Sequence, residues 1–224
     1  MSIKDWKMFN RDQMGMRIFL CIIGTVICGI AVGFFRYAAF GVDPFTSMMS
    51  GLDAVVPIKY GTLYVIANAV LLLFALFADR HYIGLGTIIN LFLVGYMSDF
   101  SKDILGGLLG GSLLSRIICL VIAVLILSFS AALYMPADLG VSTYDAVALI
   151  LANTWHIGKF KYDRIITDFI CVIIGSILFV IVAGNPLSAL PSIAGIGTII
   201  TAFFMGPLID FFTRIFTKKY LLKD

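Results

Sequence analysis

The segment GLGTIINLFLVGYMSDF at residues 84–100 recurs as GIGTIITAFFMGPLIDF at residues 195–211. Both copies begin with Gly-X-Gly-Thr-Ile-Ile and end with Asp-Phe, and one further Phe and one further Gly match between these ends. The second copy follows the first by 111 residues in a chain of 224 residues. A match of this length, displaced by about half the chain, indicates an internal duplication, so the sequence predicts two tandem repeats.

The composition is that of a membrane protein. Hydrophobic residues make up 61% of the chain and charged residues only 13%, whereas an average soluble domain has about 25% charged residues. A helix needs about 20 apolar residues to cross the hydrocarbon core. Six charge-poor runs approach that length, at residues 16–35, 63–78, 83–97, 117–136, 165–183 and 193–212. We therefore predict an all-α fold, a polytopic bundle of transmembrane helices.

A second motif also occurs twice, as FGVDPFTS from residue 40 and as LGVSTYDA from residue 139. In each copy Gly-Val precedes a short polar residue, Asp43 or Ser142, whose side chain suits the N-cap of a helix. Pro44 fits the first position of a helix, and Asp145 follows Ser142 in the pattern of a capping box. Each repeat is therefore predicted to contain three long helices and one short capped helix, the first short helix lying at residues 43–59.

The repeats divide the chain into four parts. We predict a cytoplasmic N-terminal segment at 1–15, a first membrane repeat at 16–105, a second membrane repeat at 106–213 and a basic cytoplasmic tail at 214–224. Basic residues in the tail suit contact with anionic lipid headgroups, which contributes about 1 kcal/mol per charge.

The motifs LGVSTYDA, FGVDPFTS and GIGTIITAFFMGPLID resemble the duplicated motifs of the YitT/YczE/YyaS group of bacterial integral membrane proteins. The resemblance extends over essentially the whole chain. It implies a multi-pass protein of the bacterial cytoplasmic membrane, built from repeats, and it implies no particular substrate. Ser142-Thr143-Tyr144 stands where the group usually has Ser-Pro-Trp.

The number of membrane crossings depends on whether the short helices span the membrane. Six crossings give the two repeats opposite orientations, and eight crossings make them parallel. Cytoplasmic segments are enriched in Lys and Arg. With the basic N-terminus inside, six crossings place 12 of the 16 Lys and Arg residues inside, and eight crossings place 14 inside. The charge count therefore favours eight crossings, with both termini in the cytoplasm.

The sequence contains no enzyme motif. It lacks a nucleophile with a base and an orienting group, a zinc-binding HExxH motif and the strand, glycine loop and helix of a nucleotide site. We therefore predict a non-enzymatic protein that contacts membrane lipids and has no cofactor, metal or nucleic-acid partner. The four cysteines all lie within apolar runs, where packing is their expected role.

Short helices at matching positions of two repeats predict a small-solute transporter or permease, because their ends offer unpaired backbone groups at the repeat interface. The alternative is a non-transporting membrane scaffold or regulator that assists a partner protein. A transporter needs a water-accessible space along the short helices, whereas a scaffold needs a dry interface and an apolar groove facing lipid. Substrate, coupling ion, protein partner and oligomeric state stay open at this stage.

The predicted substrate or ion site consists of polar residues in and beside the apolar runs. Thr46, Ser50 and Asp53 form a polar stripe at positions i, i+4 and i+7 of the first short helix. Carboxylates at both short-helix starts outweigh the positive ends of the helix dipoles, which favours a cationic or zwitterionic solute over an anion. The full predicted set is Arg36, Asp43, Thr46, Ser50, Asp53, Asn68, Ser142, Asp145 and Asp168.

Several of these polar residues have simpler alternative roles. Asp168 lies four residues after Arg164, so an ion pair along one helix is an alternative to a functional intramembrane carboxylate. For Asn68 the alternative is a hydrogen bond between helices. Asp99 and its counterpart Asp210 close the repeated motif, and we expect both at solvated helix ends.

Overall fold

A computed structural model describes residues 14–137, 139–158 and 160–217. Over these ranges the chain forms helices and turns without any strand, so the predicted all-α class is confirmed. The predicted N-terminal segment at 1–15 and the basic tail at 214–224 lie mostly outside the described residues.

Eight α-helices follow one another along the described chain. They are α1 (Met14–Ala38), α2 (Pro44–Val55), α3 (Tyr60–Ala78), α4 (Leu85–Leu108), α5 (Leu113–Tyr134), α6 (Thr143–Leu149), α7 (Phe160–Ile177) and α8 (Ile196–Phe212). Wider π-helical turns extend α6 over Ile150–Thr154, α7 over Leu178–Val182 and α8 over Thr213–Thr217, and 3-10 turns lie at Arg80–Tyr82 and Leu187–Ser192. The order of one long, one short and two long helices therefore occurs twice.

Five helical segments are long and apolar enough to cross a membrane, namely Met14–Ala38, Tyr60–Ala78, Leu113–Tyr134, Tyr162–Val182 and Leu187–Met205. Large apolar side chains cover the outside of the bundle, with Phe77 90% exposed and Phe203 73% exposed. A surface of this kind suits lipid rather than water, so the chain is a membrane protein, as its composition predicts. The predicted crossing at 83–97 lies in α4, which is more polar because its second half carries Asp99, Lys102 and Asp103.

The first short helix is shorter than the sequence predicts. It ends at Val55 because Val56 leaves the helical region, with φ −101° and ψ 120°, and Pro57 follows. The 12 residues of α2 span about 18 Å at about 1.5 Å per residue. The hydrocarbon core is about 30 Å thick, so α2 cannot cross it alone.

The long helices α1 and α4 run in the same direction. Gly29 in the middle of α1 packs against Val94 in the middle of α4. At the ends of the same two helices, the Tyr37 hydroxyl donates to the carbonyl oxygen of Leu109 at 3.1 Å. Both helices therefore finish at the same end of the bundle.

The long helices α1 and α5 run in opposite directions. Arg116 near the start of α5 donates from Nε to the carbonyl oxygen of Ala38 at the end of α1, at 2.8 Å. Tyr134 at the end of α5 packs against Gly24 in the first half of α1.

These helix directions contradict the predicted eight crossings. Eight crossings would make α1 antiparallel to α4 and parallel to α5, which is the reverse of what is observed. Six crossings, by α1, α3, α4, α5, α7 and α8, fit both directions. The charge count favours the wrong number of crossings because it treats all basic residues alike. Two of those that six crossings place outside have partners within the protein: Arg36 pairs with two aspartates, and Arg116 bonds backbone carbonyls.

The helix α2 begins inside the bundle and ends where α1 ends. Phe45, near the start of α2, packs in a cluster with Val32 of α1. Asp53, near the end of α2, pairs with Arg36 in the last turn of α1. We refer to this end of the bundle, where α1 and α2 end and α3 begins, as the Arg36 end.

The helix α6 also begins inside the bundle but runs to the opposite end. Its first residue, Thr143, bonds Asn68 in the middle of α3. Thr154, at the end of its π-helical extension, bonds Asp79 just after α3 ends. We refer to this end as the Asp79 end. The two short helices therefore lead from the interior to opposite ends.

The turns before the short helices are held by the Gly-X-Gly-Thr motifs. The Gly197 N–H donates to the carbonyl oxygen of Phe40 at 2.7 Å, and the Gly86 N–H donates to that of Leu139 at 2.8 Å. Each motif thus binds the turn that lies in the other half of the chain.

Glycine is required on the turn side of these contacts. Gly41 has φ +95° and Gly140 has φ +102°, a region that L-residues with a side chain rarely adopt. A Cβ at Gly41 would lie 2.5 Å from the nitrogen of Gly195, and a Cβ at Gly140 would lie 2.5 Å from that of Gly84. Two close backbone approaches therefore fix where the short helices begin.

Candidate functional site

The starts of α2 and α6 meet in the middle of the bundle. The rings of Phe45 and Tyr144, each the second residue of its helix, stack with centroids 4.9 Å apart and planes 23° from parallel. Tyr64 of α3 packs edge-on against Phe45 at 5.7 Å. We refer to residues 43–46 and 142–145, with the side chains that contact them, as the junction.

The side chain of Asp43 caps α2, as the sequence predicts. Its Oδ1 accepts the Thr46 N–H at 3.1 Å, and Pro44 occupies the first helical position. The Asp43 side chain is half-buried and interacts electrostatically with Arg164 of α7. The cap therefore also places a carboxyl group near Arg164.

The side chains of Ser142 and Asp145 form the start of α6. Ser142 Oγ accepts the Asp145 N–H at 3.1 Å, and the Ser142 hydroxyl donates to Asp145 Oδ2 at 2.6 Å. The other carboxylate oxygen of Asp145 pairs with Arg164. Ser142 is therefore the predicted N-cap, but the Asp145 carboxylate bonds the Ser142 hydroxyl and not its backbone N–H, so the predicted capping box is not formed. Asp145 instead forms an ion pair between α6 and α7.

Arg164 joins two carboxylates of the junction. Besides Asp145, its guanidinium pairs with Asp168 at 3.3 Å, which is the predicted i, i+4 ion pair along α7. The guanidinium also lies over the Tyr144 ring, 4.4 Å from its centroid. The Tyr144 hydroxyl donates to Asp168 Oδ1 at 2.5 Å. Tyr144 therefore connects the aromatic stack to Arg164 and its carboxylate partners.

Asn68 connects α3 to the junction. The Thr143 hydroxyl donates to Asn68 Oδ1 at 2.5 Å, and Asn68 Nδ2 donates to the carbonyl oxygen of Tyr64 at 2.8 Å. Asn68 is only 1% exposed. Its observed role is the hydrogen bond between helices that the sequence left as an alternative.

A second polar group surrounds Arg36 at the Arg36 end. The guanidinium bonds Asp99 Oδ1 at 2.8 Å, Ser98 Oγ at 3.1 Å and Asp53 Oδ2 at 3.3 Å. It also lies over the Tyr60 ring, 3.5 Å from the centroid. We refer to Arg36, Asp53, Tyr60 and Asp99 as the Arg36 cluster.

The structure separates the nine predicted site residues into two groups. Those at the junction are Asp43, Thr46, Asn68, Ser142, Asp145 and Asp168. Arg36 and Asp53 belong to the Arg36 cluster, and Ser50 is a half-buried residue of α2 between the two groups.

The expectation of a solvated Asp99 is wrong. The Asp99 side chain is 24% exposed and pairs with Arg36, while its Oδ2 accepts the Gly61 N–H at the start of α3, at 2.6 Å. A free N–H at a helix start and a buried guanidinium both attract a carboxylate. The side chain of the counterpart, Asp210, lies outside the described residues.

Thr143, Tyr144 and Arg164 belong to the junction but not to the predicted set. Thr143 and Tyr144 stand inside the duplicated motif, beside residues with charged or capping side chains. Helical spacing predicts Arg164 only as the partner of Asp168. The position of Tyr144 opposite its counterpart Phe45 was a signal that could have found the stack.

Comparison with known proteins places the chain in a family. Residues 15–214 match the model of a family of unknown function, DUF6198. The chain belongs to this family. The DUF6198 match contains both the junction and the Arg36 cluster.

Two bacterial relatives match most of the chain. An uncharacterised protein of Haemophilus influenzae is 24% identical over 202 residues, which cover 90% of this chain and 85% of the relative. The uncharacterised protein YyaS of Bacillus subtilis is 24% identical over 204 residues, which cover 90% of this chain and 94% of YyaS. The predicted resemblance to the YyaS group is confirmed for this DUF6198 protein. No solved structure matches the chain.

Proposed function

We propose that the protein is a non-enzymatic small-solute transporter or permease of the bacterial cytoplasmic membrane, with its solute site at the junction. Two repeats, at residues 16–105 and 106–213, would cross the membrane in opposite orientations, with both termini in the cytoplasm. The observation that carries the proposal is the meeting of α2 and α6 at Phe45 and Tyr144 inside the bundle. Short helices that end near the midplane at a repeat interface are typical of transporter binding sites.

The physical chemistry of the membrane interior supports this use of the junction. Irregular backbone at membrane depth is tolerated only where protein buries it or where it lines a water-filled cavity. Ionisable groups at that depth are expensive and mostly mark solute or ion pathways. The junction combines both features, with Asp43, Asp145, Asp168 and Arg164 beside two irregular turns. A scaffold that only displays an outer surface has no use for such a centre.

The charges of the junction favour a solute that carries an amino group. Three carboxylates, those of Asp43, Asp145 and Asp168, face the single guanidinium of Arg164, which already pairs with two of them. The formal balance is therefore negative. A cationic or zwitterionic solute, or a proton taken up with the solute, would offset this charge, whereas a simple anion would add to it.

Thermal stabilisation of the purified protein tests the sign of the solute. A panel of amines, amino acids and organic acids is compared, because a ligand at 100 times its Kd stabilises the folded protein by about 2.7 kcal/mol. We expect amines or amino acids to raise the Tm, and we expect Asp43→Asn and Asp145→Asn to reduce that rise. The control Asp103→Asn removes an exposed carboxylate of α4 and should leave the rise unchanged.

Two outcomes would contradict the proposal. Stabilisation by organic acids alone, unchanged in both Asn variants, would refute the expected sign of the solute. For any compound that stabilises the protein, uptake into vesicles containing the reconstituted protein is then measured. Binding without uptake above that of empty vesicles would favour the scaffold or regulator over the transporter.

A further inference from the structure

The Arg36 cluster ties four helices together through one side chain. Arg36 of α1 bonds Asp53 of α2 and Asp99 of α4, and it lies over the ring of Tyr60, the first residue of α3. Its side chain is only 6% exposed. A buried guanidinium with this many partners fixes relative positions, because each partner has to stay within bonding distance of the same planar group.

Asp53 is the residue of α2 that pairs with Arg36 in the cluster. The opposite face of α2 packs on α7, where Gly51 contacts Gly175 backbone to backbone. The pair between Arg36 and Asp53 joins the end of α2 to α1, and it adds to the apolar packing of Met49 in a cluster with side chains of α1, α3 and α4. If that pair parts, the end of α2 loses its ion pair with α1 while the other contacts of Arg36 remain.

The cluster also lies on the Arg36 side of the junction, along α2. Thr46, Ser50 and Asp53 follow one another along one face of α2 from the junction to the Arg36 end. Tyr60, which contacts Arg36 through its ring, packs in the same buried cluster as Phe45 near the start of α2. Any route from the junction to the Arg36 end along this face must pass the cluster.

The Asp79 end is joined by contacts of a different kind. The Thr154 hydroxyl donates to Asp79 Oδ2 at 2.7 Å, and the His81 N–H donates to Asp79 Oδ1 at 2.9 Å. These two donors hold the pKa of the Asp79 carboxyl below its usual value. The bond from Thr154 is part-buried and the bond from His81 is exposed, so this end is joined by hydrogen bonds to one carboxylate, whereas the Arg36 end is joined by a buried guanidinium.

We infer that the Arg36 cluster is a latch that closes the junction from the Arg36 end, and that parting of Arg36 from Asp53 opens it. The moving element is α2, which carries the polar stripe. The purpose of the latch rests on the proposed function, because only a transporter needs alternating access. The existence of the latch does not rest on that function, because a latch controls access to the junction whether or not the protein moves a solute.

The test measures access directly. In full-length protein lacking its four native cysteines, Ser50→Cys places one thiol on α2 between the cluster and the junction. A membrane-impermeant thiol reagent is added to vesicles from the side of the Arg36 end, and the labelling rate is recorded. We expect Asp53→Asn and Arg36→Gln to raise the rate roughly tenfold or more, as expected for loss of a charged hydrogen bond from the closed state. Asp103→Asn, at the same end but outside the cluster, should not change the rate.

Equal labelling rates in the parent and in Asp53→Asn would overturn the latch. The milder Asp53→Asn decides the matter if Arg36→Gln fails to give folded protein, as judged by gel filtration in detergent. Faster labelling in a protein that moves no solute would support the latch and refute the transporter. Solute uptake with unchanged labelling would refute the latch alone.

Discussion

Phe45 and Tyr144 stack on each other, with ring centroids 4.9 Å apart, although they stand 99 residues apart at the same position of a duplicated motif. The stack brings together the two short-helix starts, each with its carboxylate. Sequence duplication, short capped helices and central charges thus come together at one place in the fold.

The helix directions predict which loops face which side of the membrane. Lys59 precedes α3 and Arg80 follows it, so the two residues lie on opposite sides. With the N-terminus inside, a single cysteine at position 59 should react with an impermeant thiol reagent from outside. A single cysteine at position 80 should react only after the membrane is permeabilised. Labelling at position 80 from outside intact cells would restore the eight-crossing arrangement.

The hydroxyl of Tyr144 should contribute measurably to stability. Tyr144→Phe removes a hydrogen bond to the Asp168 carboxylate, and hydrogen bonds to charged groups contribute about 1.5–3 kcal/mol to the free energy of unfolding. Chemical unfolding in detergent measures this loss. In an Asp168→Asn background the same change should have a smaller effect. Tyr162→Phe, on a residue that is 61% exposed, is the control and should be neutral. Equal losses of unfolding free energy in the two backgrounds would show that the Tyr144 hydroxyl does not act through Asp168.

Replacement of glycine by alanine should lower the free energy of unfolding in the turn before α6 and raise it in α4. Gly140→Ala adds a Cβ 2.5 Å from the nitrogen of Gly84 at φ +102°, so we expect a loss of about 1–3 kcal/mol or more. Gly106→Ala adds a Cβ with open space around it inside α4, so we expect a gain of up to about 1 kcal/mol. The free energies of unfolding of both variants are compared with that of the parent. A neutral Gly140→Ala would contradict the close approach.

The carboxylate of Asp43 should have a role beyond capping. Asp43→Ala should lower the free energy of unfolding by about 1 kcal/mol, as expected for a lost N-cap. Asp43→Ser keeps a capping oxygen and should restore stability, but it removes the negative charge and should weaken solute binding. If Asp43→Ser retains both the stability and the solute binding of the parent, the carboxylate acts only as a cap.

Local features of the fold could be predicted from the sequence. The starts of α2 and α6 follow from short polar residues at the N-cap, because capping depends on neighbours within one turn. The all-helical class follows from long apolar runs. The glycines of the turns follow from the Gly-Val motif, and their positive φ angles explain the choice of residue.

The arrangement of the helices could not be predicted in the same way. The enrichment of Lys and Arg in cytoplasmic segments is a count that takes no account of pairing. Arg36 enters this count as a free charge, although it pairs with Asp53 and Asp99. Arg164 illustrates the same difficulty. Its pair with Asp168 follows from helical spacing, but its pair with Asp145 on α6 depends on how α6 and α7 pack.

Cross-linking of positions 45 and 144 tests the central claim, that the starts of the two short helices meet inside the bundle. Phe45→Cys and Tyr144→Cys are combined in protein lacking the four native cysteines, and a short bifunctional thiol reagent is added to membranes. The control pair joins position 45 to Trp155→Cys, which lies just beyond the far end of the second short helix. We predict rapid cross-linking within one chain for 45 with 144, detected as a joined peptide pair by mass spectrometry, and little for 45 with 155. Equal or slower cross-linking of 45 with 144 would contradict the meeting of α2 and α6.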